Sequence, residues 1–471
     1  MDRRDFLKSI GAGALATAAM AAGCKNPNAT SAEGFTLGEV PTDKMTYRTG
    51  THGEKVSLLG YGCMRLPALE EGKDGNQSEG DLDQDRINEL TDYAIEHGLN
   101  LFDTAPRYCK ARSEIAMGKA LSRHRREEYL ISTKLSNQNS SLWNFKGSKE
   151  MFEQSLERLQ VDYLDFYMLH CVGLPGRDKD GNMVEAMEAF QRRFVDSGMI
   201  EFLMEQRAKG VIRNLGFSYH GDVKVFDHAL SMHEQVHWDH VLIQHNYVNW
   251  RHAGDLAEDG GGDANSEYLY GELAKRDIPV FVMEPLLGGQ LASLPDFAVE
   301  ELKRHEPQQS VASWAFRFAG NQPRILTVLS GMTYMEHLQD NLRTMSPHKP
   351  LNNEEEAMLQ SIADRYIGYP LIPCTGCQYC MPCPYGIDIP GNFAHYNKMV
   401  NEGMLLSQPD DEASCEERRA YRKARREYLK SYDRAIEPQR QADHCIGCGR
   451  CLHECPQRIN IPAKLAMIES L

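Results

Sequence analysis

Eight short apolar runs alternate with eight amphipathic stretches along most of this chain, and this alternation constrains its fold more than any other feature. The predicted strands are Val56–Gly62, Leu99–Thr104, Tyr129–Lys134, Tyr163–His170, Ile212–Ser218, Val241–Tyr247, Ile278–Met283 and Ile325–Leu329. The predicted helices are Gln84–His97, Ser113–Ser122, Ser148–Leu159, Glu185–Lys209, Asp222–His233, Ser266–Lys275, Ser310–Ala319 and Met335–Leu342. Eight strand–helix pairs over roughly 300 residues predict a parallel, closed (β/α)8 TIM barrel.

An open, doubly wound parallel sheet is the alternative fold for the same alternation. That fold should show a glycine-rich phosphate-binding turn after its first strand. The residues found there, Gly60-Tyr61-Gly62-Cys63, do not match such a turn. We therefore predict a barrel over residues 44–350, an N-terminal segment at 1–34 and a separate C-terminal region at 351–471.

Ionisable side chains follow three consecutive predicted strands. Asp103 ends the second strand and is followed by Tyr108, Lys134 ends the third strand, and His170 ends the fourth. The carboxyl ends of barrel strands meet at one face, so these side chains should lie close together. A nearby lysine lowers the pKa of a phenol, a carboxylate holds that lysine, and a histidine can orient a substrate oxygen. The four residues together predict proton transfer to or from a carbonyl oxygen.

Eight of the 13 cysteines fall in two runs after the barrel, and their spacing is that of iron–sulfur ligands. The runs are Cys374-x2-Cys377-x2-Cys380-x2-Cys383-Pro and Cys445-x2-Cys448-x2-Cys451-x3-Cys455-Pro. Three thiolates at x2 spacing hold one cubane, and the fourth reaches across to the other cluster. We predict two [4Fe–4S] clusters, one on Cys374, Cys377, Cys380 and Cys455, the other on Cys445, Cys448, Cys451 and Cys383. Zinc, usually held by two separated ligand pairs, and disulfides explain these triplets less well.

The first residues of the chain resemble an export signal. Arg3 and Arg4 precede an apolar run from Ile10 to Gly23, which is shorter than the roughly 20 residues of a membrane span. Paired arginines in this setting resemble a twin-arginine signal, and Ala-Ala-Gly-Cys24 is similar to a lipoprotein cleavage box. We expect a periplasmic or membrane-anchored protein that associates with the membrane through a lipidated Cys24. An ordinary amphipathic N-terminal helix is the alternative.

The charge balance argues against a nucleic-acid partner. The chain has 67 acidic and 52 basic residues and a net charge of −15 at pH 7, whereas nucleic-acid binding needs a positive field. The stretch Glu416–Arg440, between the two cysteine runs, is by contrast rich in arginine and lysine. It predicts a helical insertion whose charged face is either solvated or docks an acidic electron carrier or an anionic membrane.

Several of these motifs resemble the aldo-keto reductase family over roughly residues 44–346. They are Phe-Asp103-Thr-Ala-x-x-Tyr108, the strand ends at Lys134 and His170, Gly210-Val-Ile-Arg-Asn-Leu-Gly-Phe-Ser218, Gln244-His-Asn246, Pro285-Leu-Leu-Gly-Gly289 and Leu338-Gln-Asp-Asn341. The resemblance implies Tyr108 as the acid/base, Lys134 and Asp103 as its tuning pair, and His170 as the carbonyl-orienting residue. It also implies cofactor contacts from Ser218, Gln244 and Asn341, with NAD or NADP as the cofactor.

Two positions depart from the general family pattern for nicotinamide binding. Met283 stands where the family usually has an aromatic residue that stacks on nicotinamide, and Glu284 follows it. The basic residues that grip the 2′-phosphate of NADP are missing from Ser330–Tyr334, and the later basic position is His337. The whole chain resembles the ferredoxin-bearing branch of the family, so these departures are interpreted as features of that branch.

Together these patterns predict an exported oxidoreductase that reduces a carbonyl or oxidises an alcohol on a small molecule. The clusters imply an electron-transfer partner. Nicotinamide moves two electrons as hydride whereas each cluster moves one, so direct exchange between them needs a mediator. Two alternatives remain at this stage. One is a non-redox isomerase or lyase with structural clusters, and the other is an electron-transfer or assembly protein whose barrel only binds.

Overall fold

The computed structural model describes residues 39–256, 264–405 and 414–471. The predicted export signal, with Arg3, Arg4 and Cys24, lies outside the described residues. Within the described ranges no helix is both long and apolar enough to cross a membrane.

Eight parallel strands close into a barrel, which confirms the predicted fold class. They are β1 Leu59–Gly62, β2 Leu101–Asp103, β3 Leu130–Leu135, β4 Leu164–Val172, β5 Ile212–Tyr219, β6 His240–Gln244, β7 Val280–Met283 and β8 Ile325–Ser330. Each strand pairs with the next along the chain, and β8 pairs with β1 to close the sheet. All strand ends that carry predicted site residues therefore meet at one mouth.

Helices surround the strands and explain why most strand residues are buried on both faces. They are α1 Gln84–Glu96, α2 Ser113–Leu121, α3 Phe145–Leu159, α4 Met199–Ala208, α5 Val223–Ser231, α6 Ser266–Lys275, α7 Val311–Ala319 and α8 Met335–Met345. The barrel interior is filled by a separate apolar cluster that includes Leu101, Phe166, Met168 and Phe281. Strands covered on both sides need continuous apolar runs, which is why these runs were readable in the sequence.

Two predicted elements are divided in the structure. The first predicted strand, Val56–Gly62, is split into Lys55–Ser57, in a hairpin, and β1. The predicted helix Glu185–Lys209 is broken into Ala186–Phe190, a π-helical turn at Gln191–Val195, and α4. Gly198, with φ of +70°, separates that turn from α4, because a left-handed residue cannot continue a helix.

An antiparallel hairpin covers the amino ends of the barrel strands. It consists of Tyr47–Thr49 and Lys55–Ser57. The guanidinium of Arg48 donates to the carbonyl oxygen of Gly320 at 2.6 Å and to that of Ile325, at the start of β8. Val56 belongs to the apolar cluster of the barrel interior. The hairpin therefore lies at the end of the barrel opposite to the mouth.

A helical linker and a small domain follow the barrel. The linker helix is α9 Asn353–Tyr366, and the domain contains α10 Ile389–Asn401, α11 Cys415–Ala435 and α12 Ile461–Ser470. The carboxylate of Glu355 accepts two hydrogen bonds from Arg317 at 2.8 Å each, and both side chains are buried, so α9 is fixed to α7. The domain has an apolar core of its own, in which α10, α11 and α12 pack beside six of the cysteines of the two runs.

Candidate active site

A buried ion pair lies at the mouth of the barrel, between the ends of β2 and β3. Lys134 Nζ is 2.6 Å from Asp103 Oδ1 and donates to the carbonyl oxygen of Thr104 at 2.8 Å. The other carboxylate oxygen of Asp103 accepts from the Ser132 hydroxyl at 2.7 Å. Both charged groups are almost fully buried, so each depends on the other for compensation.

Tyr108 lies between this ion pair and His170, as the sequence predicts. Lys134 Nζ is 4.6 Å from the centroid of the Tyr108 ring, and the His170 ring stands edge-on to it with centroids 6.0 Å apart. The three residues after Tyr108 all have positive φ, starting with Cys109 at 50°. Backbone strain of this kind is typical of functional sites. Here it fixes the position from which the Tyr108 side chain projects.

The expected lowering of the Tyr108 pKa by Lys134 is wrong for this structure. Burial raises the pKa of Tyr108 well above its usual value, and the nearby Asp103 carboxylate raises it further. The main physical reason is burial, which disfavours the charged phenolate, and the Asp103 carboxylate adds a like charge beside it. Tyr108 is therefore protonated at neutral pH and carries the proton that a reduced carbonyl oxygen needs, although the raised pKa makes it a weaker acid than a free phenol.

His170 is held as a neutral imidazole. Burial lowers its pKa well below the usual value, and Lys134 and Arg107 lower it further. The Ser136 hydroxyl lies 2.6 Å from Nδ1, which leaves Nε2 for a substrate oxygen. The buried Arg193 donates to the backbone carbonyl of His170 and so fixes the end of β4.

The three predicted cofactor residues also lie at the mouth end of the barrel. Ser218 is near the end of β5 and accepts from the backbone N–H of Cys171 at 2.9 Å. Gln244 ends β6 and accepts from the Asn249 side-chain amide at 3.1 Å. Asn341, on α8, donates to the Ser330 hydroxyl at 3.0 Å.

One observation tests whether these residues fit a nicotinamide. The buried side-chain oxygen of Asn249, beside Gln244, has no hydrogen-bond partner among the described residues. A buried acceptor of this kind needs a donor, and the carboxamide of a nicotinamide is such a donor. The residues present therefore fit the cofactor that the resemblance implies.

The structure brings the eight cysteines together in the two predicted sets. Burial raises the pKa of the Cys374 thiol to about 12, and Cys455, from the far end of the second run, raises it further. Burial likewise raises the pKa of the Cys451 thiol to about 11. The nearby thiols of Cys445 and of Cys383, which belongs to the first run, raise this pKa further. Each set thus takes three thiols from one run and one from the other.

The donors of each set are four thiols, which is the ligand type of an iron–sulfur cluster. The twelve described cysteines form no disulfide with one another. Within the ranges that the structure describes, no group of three or more His, Cys, Asp or Glu side chains could hold one metal ion. In a mononuclear site all ligands share one ion, whereas the four thiolates of a cubane bind four different irons.

Two family models match the chain. The aldo/keto reductase family model matches residues 59–364, and the 4Fe-4S dicluster domain model matches residues 373–460. The chain belongs to the aldo/keto reductase family. Both the family and the presence of a 4Fe–4S domain, as predicted from the sequence motifs, are confirmed.

Known aldo-keto reductases resemble the barrel rather than the whole chain. An oxidoreductase of Bacillus subtilis, YqkF, is 27% identical over 67% of this chain and 95% of its own length. The NADH-specific methylglyoxal reductase of Escherichia coli is 33% identical over 27% of this chain and 41% of its own. The structure of an aldo-keto reductase from Bacillus halodurans, AKR11C1, superimposes with a TM-score of 0.50 and 23% identity over 68% of this chain and 96% of that one.

Several residues at the mouth were not found from the sequence. Ser136 and Arg193 support His170, but the first lies beyond a strand end and the second inside a predicted helix, so neither carries a signal. Arg65 lies in a short helical turn after β1 and donates to the Thr375 carbonyl at 2.6 Å. Tyr379 stands in the spacer of the first cysteine run, where an aromatic residue was the only available hint.

Proposed function

We propose that this protein is an oxidoreductase that interconverts a carbonyl and an alcohol on a small molecule, with electrons linked to two [4Fe–4S] clusters. The observation that carries the proposal is the protonated Tyr108 phenol, held between the Lys134–Asp103 pair and a neutral His170. This arrangement supplies a proton donor, a neighbouring cation and a hydrogen-bond donor at one point.

Each of the four residues has a separate role in carbonyl reduction. His170 Nε2 donates a hydrogen bond to the carbonyl oxygen and orients it. As an electron pair adds to the carbonyl carbon, the C–O π electrons move to oxygen, which takes the Tyr108 proton. Lys134 then lies beside the phenolate that remains, and Asp103 keeps the lysine in place. Alcohol oxidation runs through the same steps in reverse.

The electron pair is assigned to a nicotinamide held by Ser218, Gln244 and Asn341. NADH or NADPH, when bound there, would supply this pair as hydride, and NAD or NADP would accept it in the reverse direction. The relative named as an NADH-specific methylglyoxal reductase supports a nicotinamide and a small carbonyl substrate. The two cysteine sets would hold one cluster each and connect the protein to an electron-transfer partner.

The site is proposed to work outside the cytoplasm. Arg3, Arg4 and the apolar run to Gly23 support export by a twin-arginine-type route, and Cys24 supports lipid attachment. The protein would then be periplasmic or anchored to the membrane. Replacing Cys24 by serine should release it from the membrane fraction on cell fractionation, whereas retention of the variant in that fraction would contradict the anchor.

A second candidate function is acid/base chemistry without net redox, as in an isomerase or lyase with structural clusters. The observation in its favour is Glu284, whose carboxyl lies near Tyr108 and has its pKa raised by burial. A carboxyl with a raised pKa is a plausible second proton carrier at the mouth.

Anaerobic purification decides between the two candidates. About eight irons per chain, a retained or rebinding nicotinamide and oxidation of NADH or NADPH with methylglyoxal would support the oxidoreductase. Eight irons without any nicotinamide binding would exclude hydride transfer and favour the second candidate.

A further inference from the structure

The first cysteine run lies against the mouth of the barrel. We name Cys374–Tyr379 the roof segment. Arg65, after β1, donates to the Thr375 carbonyl at 2.6 Å, and Gln290, after β7, donates to the Cys374 carbonyl at 3.1 Å. The segment is therefore held from two sides of the mouth by backbone contacts that do not depend on its side chains.

A glycine after β7 allows this close approach. Gly288 has φ of +67°, and a Cβ added to it would lie 2.2 Å from Thr375 Cα. No real side chain tolerates that distance, so the barrel loop and the roof segment fit only with glycine at this position.

Asn76 connects the roof segment to the catalytic tyrosine. Its side-chain amide donates to the Cys377 carbonyl at 3.3 Å, and its side-chain oxygen accepts from the backbone N–H of Cys109 at 2.9 Å. Cys109 is bonded directly to Tyr108. One side chain thus bridges a cysteine of the first set and the residue next to the proposed acid.

Tyr379 forms a second connection at the same place. The Arg107 guanidinium lies 5.3 Å from the centroid of the Tyr379 ring, and Arg107 immediately precedes Tyr108 in the chain. Tyr379 therefore lies against the residue that precedes the proposed acid, and in the chain it stands between Cys377 and Cys380.

The second cysteine run is in a different environment. Cys448 is exposed, and its neighbour Ile446 is 63% exposed. Arg450, between Cys448 and Cys451, is exposed as well. The two sets are therefore not equivalent, although their sequence motifs are almost the same.

We propose that the set of Cys374, Cys377, Cys380 and Cys455 is the active-site set, and that Asn76 and Tyr379 are positioning residues that couple it to Tyr108. Tyr379 also forms the wall of the substrate space on the roof side. This inference rests on the proposed function only in requiring that both sets hold clusters.

Redox titration followed by electron paramagnetic resonance tests this assignment without turnover. A positive charge near a cluster stabilises its more negative, reduced form, so its removal lowers the midpoint potential. Arg65→Gln should lower the potential of one cluster, and Arg450→Gln that of the other. Tyr379→Phe and Asn76→Leu should change the spectrum of the cluster that responds to Arg65→Gln. Tyr268→Phe, which alters an exposed tyrosine of the barrel, should change neither.

Catalysis gives a second readout with methylglyoxal as the probe. Tyr379→Phe should raise KM at least threefold with little change in kcat, because it alters the wall and leaves Tyr108 in place. Full iron content with both clusters unresponsive to Arg65→Gln and Tyr379→Phe would overturn the inference while leaving the proposed function intact. Absence of iron would overturn both.

Discussion

Tyr108 shows how neighbouring residues decide the role of one side chain. Lysine alone would favour the phenolate, but burial raises the pKa of the phenol, and Asp103, which lies 2.6 Å from Lys134 Nζ, raises it further. The sequence predicted which residues meet, because each follows a strand end. It could not predict the direction of the pKa shift, which depends on distances among three groups and on burial.

Removal of the Tyr108 hydroxyl should abolish the proton donation. We expect Tyr108→Phe to lower kcat for carbonyl reduction by about 100-fold or more, the usual contribution of a positioned acid. Steady-state kinetics with NADH or NADPH measure this. Tyr268→Phe, which alters an exposed phenol that donates to Asp227 on α5, is the matched control. Unchanged turnover in Tyr108→Phe would remove the assignment of this residue.

The pH dependence of reduction should be flat across the neutral range. The pKa of His170 is lowered and that of Tyr108 is raised, so the neutral imidazole and the protonated phenol coexist. We expect kcat to change little between about pH 6.5 and about pH 10, the usual pKa values of the two side chains. A limb with a midpoint near pH 6.5 would show instead that His170 titrates in the working enzyme.

The buried ion pair should also be visible in stability. Lys134→Met leaves Asp103 buried without its partner and should lower the free energy of unfolding by about 3–5 kcal/mol. The double variant Asp103→Asn, Lys134→Met should lose less than the two single variants added together. Urea denaturation measures all three. Strict additivity would mean that the pair is not coupled.

Among helices and strands, long apolar runs were predictable and their interruptions were not. The eight barrel strands lie where the runs predict them because both faces of each strand are covered. The sequence predicts one strand over Val56–Gly62, where the structure has the hairpin strand Lys55–Ser57 and β1. The apolar run continues through the turn between these two strands, so it does not show where one ends. The π-helical turn at Gln191–Val195 contains neither glycine nor proline, so no residue in it marks an interruption of the predicted helix.

The two glycines after β7 allow a matched test of the roof segment. Both have positive φ, but a Cβ at Gly288 would strike Thr375 whereas one at Gly289 would meet nothing within 4 Å. Gly289→Ala should therefore cost only the strain of a left-handed alanine, about 1 kcal/mol. Gly288→Ala should in addition displace the roof segment and reduce iron content.

Iron analysis and thermal unfolding of the two variants measure the difference. Equal iron content and equal Tm in Gly288→Ala and Gly289→Ala would contradict the contact between this loop and Thr375.

At the scale of the whole molecule, the two parts of the chain were predictable separately but their contact was not. The barrel follows from its strands and the cluster domain from its cysteine spacing. The hydrogen bond from Arg65 to the Thr375 carbonyl joins residues 310 apart. Arg65 belongs to no predicted motif, and Thr375 is an unspecified spacer position of the first cysteine run. Docking of one domain on another depends on surface shape, which periodicity and spacing do not encode.

Removal of the clusters should affect the two domains differently. The C-terminal core packs against six cysteines of the two runs, whereas the barrel has apolar clusters of its own. Oxidation with a chelator should therefore abolish the unfolding transition of the small domain in calorimetry and leave a barrel transition, because metal binding there contributes folding energy. Chelator without oxidant is the control. One transition that shifts as a unit would show that the domains unfold together.

The hairpin at the amino ends of the strands limits how a small molecule can reach the site. Because the hairpin covers that end, the mouth is the entrance in the part of the chain that the structure describes. The roof segment lies over this entrance. A molecule that reaches Tyr108 must pass beneath the roof segment. This segment cannot move away from the mouth unless its cysteines move with it. Access to the site therefore depends on a segment of the iron-binding domain as well as on the barrel.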